Sequence, residues 1–137
     1  MTKLSSDECL DLLTTHRPRV GRLTFVDAGE SVVFPMNYIA DGNLIYFHTA
    51  PGSTWLAALN MQLVTFETDH VEDHPESGAP AAREQSWSVL ASGRLRTLTD
   101  EDELAQVRRS PLGPWADDEH PHYLRMDVAD LAGRRFL

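Results

Sequence analysis

The side chains able to hold a divalent metal gather in two stretches, His70 and His74 with Asp69, Glu72 and Asp73, and His120 with His122. Imidazole and carboxylate are ordinary zinc donors, and His70-x-x-x-His74 would set two rings on one face of a helix. Pro75, Ser77, Gly78 and Pro80 oppose a helix there, so these residues read as loop histidines and no native metal is expected. Nucleophilic chemistry has less to stand on. The chain carries no Gly-x-Ser-x-Gly, no Cys/His pair with an orienting group and no phosphate-cradling glycine-rich loop of the nucleotide-hydrolase type. What remains is binding chemistry. Pro35 lies inside a run that otherwise reads as strand; it cannot donate a ladder hydrogen bond, so the strand there is irregular or at an edge, which often means a ligand or a neighbouring chain. Pro51-Gly52-Ser53 reads as a turn that opens a short helix over 54–59, with Ser53 as its N-cap.

The elements that must position these residues follow from pattern. Ser5 and Glu8 have capping-box spacing, with Leu4 and Cys9 placed as a hydrophobic staple, so a helix is expected over 6–15 with Cys9, Leu10, Leu12 and Leu13 as its apolar stripe. Strands are expected over 20–26 and 31–40, joined by a turn at 27–30. Asp41-Gly42 reads as a type I′ hairpin turn into a third strand over 43–49. A strand over 62–69, a mobile loop over 70–86 and a long strand over 87–98 with a bulge at Gly93 come next. Thr99 then serves as N-cap of an acidic first turn in a helix that ends at Arg108-Arg109, and 122–128 and 131–137 read as two closing strands. Six or seven mostly antiparallel strands with three short helices favour a small closed barrel as a single domain over 1–137. Its interior would be filled by its own side chains, leaving a ligand site outside, against a helix or a second subunit.

Composition bounds the partners. Twelve Lys and Arg against 21 Asp and Glu give a formal charge of −9, the wrong sign for holding a nucleic-acid backbone. The chain has one cysteine and no apolar run that could span a membrane, so a cytoplasmic protein is expected.

The order of elements, with Val20-Gly21-Arg22-Leu23, Phe34-Pro35-Met36-Asn37-Tyr38, Phe47-His48-Thr49-Ala50-Pro51-Gly52-Ser53, Phe66-Glu67-Thr68-Asp69, Trp87-Ser88-Val89-Leu90 and Gly133-Arg134-Arg135, resembles the pyridoxamine 5′-phosphate oxidase-like family of FMN-binding split barrels. The resemblance covers nearly the whole chain. It implies a mainly β, Greek-key split barrel, a homodimer with flavin clefts shared by the subunits, and hydride transfer between FMN, or the deazaflavin F420, and a small organic substrate. Some relatives of this kind also hold haem through a histidine. On the resemblance, Pro35, Met36, Asn37 and Tyr38 run along the flavin ring, and His48, Thr49, Ser53 and Thr54 hold the phosphate at a helix N-terminus. Ser53 as a plain cap and Thr49 as a plain strand end stay open beside that role. Trp87 and Ser88 would reach the ring, with Trp87 as core or dimer contact the alternative, and Arg134 would supply a guanidinium across the interface unless Arg134-Arg135 is simply solvated.

Relatives commonly carry Arg where this chain has His48, and Lys where it has Thr54. The phosphate therefore lacks two fixed charges, and a non-catalytic binding or sequestering protein is the second reading. No catalytic acid or base is assigned, although His48 and Tyr38 can titrate or donate near the ring.

Overall fold

The computed structural model describes residues 1–49, 61–71, 86–112 and 122–136. Helix α1 spans Ser6–Thr15, and its capping box is complete: Glu8 N–H donates to Ser5 Oγ at 3.2 Å and Ser5 N–H donates to Glu8 Oε1 at 3.1 Å. Cys9 and Leu13 are its buried stripe, and Leu4 packs with Cys9 over Gly133 as the staple requires.

Seven strands follow or flank this helix: β1 Thr2–Lys3, β2 Val20–Asp27, β3 Glu30–Asp41, β4 Leu44–Thr49, β5 Leu63–His70, β6 Trp87–Thr97 and β7 His122–Arg135. β1 escapes sequence reading because two exposed polar residues carry no pattern; it pairs with the end of β7. All pairings are antiparallel. The meanders β2–β3–β4 and β5–β6–β7 join through β2–β5 and β4–β7, and the ring of six strands closes where β6 meets β7.

Three local expectations need correction. The β2–β3 turn, with Ala28 at φ 51° and Gly29 at φ 80°, has the two positive angles of a type I′ turn. The β3–β4 turn instead pivots on Gly42-Asn43, and Gly42 alone has positive φ, so Asp41-Gly42 is not the type I′ pair. The two closing strands are one strand, β7. Ser92 pairs with Asp130 and Gly93 with Val128, so the expected bulge is present but its extra residue is Ala129. A Cβ on Gly93 would collide with the Asp127 carbonyl, which is why the bulge needs glycine. The loop expected over 70–86 is narrower at both ends: His70 closes β5, and Ser86 is buried and accepts from Phe136 N–H at 2.8 Å. The helix expected over 54–59 lies outside the described residues.

The barrel interior is filled by alternate side chains, including Leu23, Tyr38, Phe47, Phe66, Val89, Leu95 and Met126. Gly21 faces the Phe66 ring, and a Cβ there would overlap that ring and crowd Glu67 O.

A second cluster of Tyr46, Leu98, Val107, Leu112 and Tyr123 lies under helix α2, Glu101–Arg108. Asp100, not Thr99, caps α2 by accepting from Glu103 N–H at 3.0 Å, since aspartate one residue later reaches the same orphan donor. Arg125 Nη1 donates to both Glu103 oxygens at 2.7 and 2.8 Å, and Arg125 Nε donates to Asp127 at 2.8 Å. Tyr46 Oη also donates to Glu103, at 3.0 Å, which ties α2 to the barrel wall. Burial, then that hydrogen bond and the Glu103 charge, push the Tyr46 phenol up to about 12 from its ordinary 10. The folded state therefore holds this proton more tightly than the unfolded chain. Its contribution is full below pH 10 and is lost as pH rises to about 12. Thermal midpoints measured across that window should fall less steeply for Tyr46→Phe than for the parent; equal slopes would reject the account.

Candidate functional site

The hydrogen-bond phase of β3 decides what it offers a ligand. Tyr38 N–H donates to Arg19 O at 3.1 Å, and antiparallel ladders alternate, so residues 33, 35 and 37 turn their backbone groups to the other flank. β4 pairs with β3 only from Tyr38 to Asp41. Among the described residues the flank before Tyr38 is therefore open, and Pro35 stands on it. Its missing N–H costs no ladder bond, which satisfies the expectation of a local edge. Met36 and Tyr38 turn into the core, whereas Pro35 and Asn37 face outward and are exposed.

Beside this stretch is a cavity of about 260 Å³ lined by Pro18, Arg19, Val20, Asn37, Tyr38, Pro111 and Leu112. Tyr38 is fully buried, with its ring edge-on to Phe66 at 5.0 Å. Its hydroxyl makes no hydrogen bond among the described residues, and the Thr68 hydroxyl beside it donates to Val20 O at 2.9 Å. Burial pushes the Tyr38 phenol up, and the Thr68 hydroxyl and the charges of Arg17 and Arg19 act against that rise. Loss of water and the neighbouring Arg17 lower the Arg19 guanidinium. Sequence reasoning passed over Arg19, Pro111 and Leu112. The signal available was Arg17-Pro18-Arg19, two cations at the mouth of the first long strand.

His48 lies on β4 opposite Tyr123, ring centroids 5.0 Å apart, and Thr49 ends that strand. Ser53 and Thr54 lie outside the described residues. Ser88 and Arg134 are elsewhere on the ring: Asp69 pairs with Ser88, and Ser88 with Arg134. Extending the β2–β3 and β2–β5 registers puts Asn37, Val20, Asp69, Ser88 and Arg134 in one outward row across five strands. The row wraps around the closed ring, on which β3 and β7 are also the two neighbours of β4. Trp87 turns inward, 4% exposed, and packs edge-on against His16 at 4.8 Å. The structure thus groups Pro35, Asn37, Tyr38 and the cavity, and holds Ser88 and Arg134 on the outer face of the barrel further around the wall, on β6 and β7.

That face carries a charged cluster absent from the sequence reading. Arg22 pairs with Glu67 at 2.5 Å and with Asp69 at 3.1 Å, and burial followed by a hydrogen bond with Asp69 raises the Glu67 carboxyl. It also exposes Val20, Val26, Val33, Leu63 and Leu90. Among the described residues no three His, Cys, Asp or Glu side chains gather as a metal site, and no helix is long and apolar enough to cross a membrane.

A closed ring of six antiparallel strands with a helix across its wall is the architecture of a split barrel. The family model for pyridoxamine 5′-phosphate oxidase matches residues 5–135, and the chain belongs to that family. It is similar to the FAD binding protein from Mycobacterium smegmatis, with 35% identity over 98% of each chain and a TM-score of 0.78. A conserved protein of unknown function from Corynebacterium diphtheriae is 26% identical over 99% of this chain and 98% of that one, with a TM-score of 0.77. An FAD and haem binding protein from M. smegmatis, 17% identical over 99% of this chain and 74% of its own, shares the fold with a TM-score of 0.72. Comparison with curated proteins gives no match.

Proposed function

We propose that this chain binds a flavin nucleotide, FMN or FAD, and works as a homodimeric oxidoreductase on a small organic substrate. The observation that carries the reading is the 35% identity, end to end, with a protein named for FAD binding. The open flank of β3 supports it, because a flavin ring edge alternates donors and acceptors and, among the described residues, the backbone groups that 33, 35 and 37 turn to that flank make no ladder bond. The bound flavin would supply reversible hydride transfer; the chain's part is to hold, orient and shield it. Asn37 by backbone and side chain and Pro35 by its carbonyl meet the ring, Met36 and Tyr38 hold that edge through backbone bonds to the β2 side and side chains in the core, and His48, Thr49, Ser53 and Thr54 lie on the phosphate side.

Two copies complete the site. Ser88 and Arg134 stand on β6 and β7 and Asn37 on β3, at different places around the closed ring, so a second protomer is what brings a Ser88 and an Arg134 to the flavin flank. The exposed valines and leucines of the face suit such burial. A lone, buried Cys9 suits the cytoplasm, where thiols stay reduced.

The test is a visible absorption spectrum of purified protein after incubation with FMN or FAD and removal of the unbound fraction. A retained flavin spectrum is the expected result, and a colourless protein with both cofactors rejects the reading. His48 and Thr54, standing where relatives have Arg and Lys, favour the second reading of a binding protein without catalysis. Flavin retained without oxidation of reduced nicotinamide would select it.

A further inference from the structure

Three rings meet at the end of the barrel where α1 finishes. His70 closes β5 and pairs in register with Trp87, the first residue of β6, which pairs in turn with Arg135 of β7. His16, the C-cap of α1, lies against both rings, 4.8 Å from Trp87 at 84° and 5.3 Å from His70 at 61°. The imidazoles are half-buried and the indole is buried, so the His16 ring is part of what keeps water from Trp87. Cys9 and Leu13 anchor the body of α1 in the core. Beyond Leu13 the exposed Thr14 and Thr15 spend their hydroxyls on Leu10 O and Asp11 O, at 2.8 Å each. Arg17 folds back onto Thr14 O and His16 O, which closes the helix end on itself. His16 then carries that end onto the barrel through its ring contacts.

We propose that His16 and His70 form an acid-released latch: as neutral rings they hold the last turn of α1 against Trp87, and proton uptake separates them and releases that turn. The first proton sets an imidazolium 5.3 Å from the other ring, and a second sets two like charges there. The charges around the pair favour release. Arg17 follows His16, β7 brings Arg135 opposite Trp87 with Glu8 of α1 facing it, β6 brings the uncharged indole, and β5 brings Asp69, which Arg22 holds at 3.1 Å. A helix C-terminus ordinarily favours an imidazolium. Here loss of water, then His70, hold the His16 imidazole below its ordinary value; Arg17 adds to that and Asp69 opposes it. Its contribution to stability is therefore full above pH 6.5 and is lost as pH falls below it toward the lower folded value. An indole face attracts a cation, which works against release, so the two effects have opposite signs in an acid titration. Trp87 precedes Ser88, which the flavin reading assigns to the ring, but the latch does not rest on that reading.

Amide hydrogen exchange and urea unfolding of the purified protein, each at about pH 7.5 and about pH 5.5 to bracket the histidine range, test the latch without any flavin. Relative to their intrinsic rates, the Thr14, Thr15 and His16 amides should exchange several-fold faster at the lower pH, while the amides of α2 keep their protection. The urea midpoint should fall over the same interval. His16→Phe keeps a ring on Trp87 and cannot titrate, so its last turn should stay protected at both pH values. His70→Gln removes the second charge and should move the release to lower pH. His16→Gln has neither ring nor charge, and its last turn should exchange quickly at both. A parent whose last turn exchanges alike at both pH values overturns the proposal, as does a midpoint that rises on acidification because the indole holds the imidazolium. A His16→Phe variant that opens at the lower pH as the parent does places the sensitivity elsewhere, and a His16→Gln turn that stays protected shows that His16 does not hold the helix end; either result rejects the latch.

Discussion

Phe66→Ala should cost the fold about 3–5 kcal/mol, the usual range for emptying a buried aromatic site. Phe66 is 0% exposed and stands between two rings, Tyr38 and Phe47, each with its centroid 5.0 Å away at 64°. The strand beside it has already given up a side chain to make this space, since a Cβ on Gly21 would overlap the Phe66 ring. Alanine would leave a void bounded by a barrel wall whose ladders run unbroken from β2 into β3 and β5, so collapse around it is limited. Against a typical total of about 5–15 kcal/mol, the loss is about a fifth or more of the stability. Urea unfolding should show the midpoint dropping sharply for Phe66→Ala and far less for Phe66→Leu, which keeps most of the volume. A loss below about 1 kcal/mol would mean that the ring does not fill the barrel centre.

The parts of this architecture that sequence made legible are those in which one residue type has one physical use. Ser5 and Glu8 announced α1 to the residue, because reciprocal capping requires that spacing. Pro35 announced a local edge, because a missing donor must face an unpaired flank. Gly93 announced a bulge but not which strand carries the extra residue, since Ala129 looks like any strand alanine until its partner strand is known. Sequence reads β7 as two strands, 122–128 and 131–137, because period-two reasoning has no way to carry a face change across a bulge. The family resemblance assigns β3 and β4 to the flavin side. It did not find the cavity, because Arg19 and Leu112 are brought together by the packing of α2 against the barrel, at a separation no local pattern spans. Nor did it show that Ser88 and Arg134 lie further around the barrel wall from Asn37, which only the strand registers reveal.

Restoring the family's charges should have the largest effect on the cofactor: His48→Arg together with Thr54→Lys is expected to tighten flavin binding by about two to four powers of ten. Each substitution adds a charge-assisted hydrogen bond to the phosphate worth roughly 1.5–3 kcal/mol, and about 1.4 kcal/mol is a factor of ten. The structure gives the first position its place. His48 stands one residue beyond the Tyr38–Phe47 pair, where the β3–β4 ladder stops and the open flank begins, so a guanidinium there is at the end of the backbone edge assigned to the ring. Its imidazole Nε2 is buried and its ring lies against Tyr123, so arginine must extend outward to find the phosphate; a thermal midpoint within a few degrees of the parent shows that it has done so without disturbing Tyr123. Thr54 lies outside the described residues, and its share is assigned through the single variants. Fluorescence quenching of FMN and FAD by the parent, each single variant and the double variant gives the four affinities. Two gains that add identify independent contacts to one phosphate, whereas a double variant that folds as the parent does and binds no more tightly places the phosphate somewhere other than the segment from His48 to Thr54.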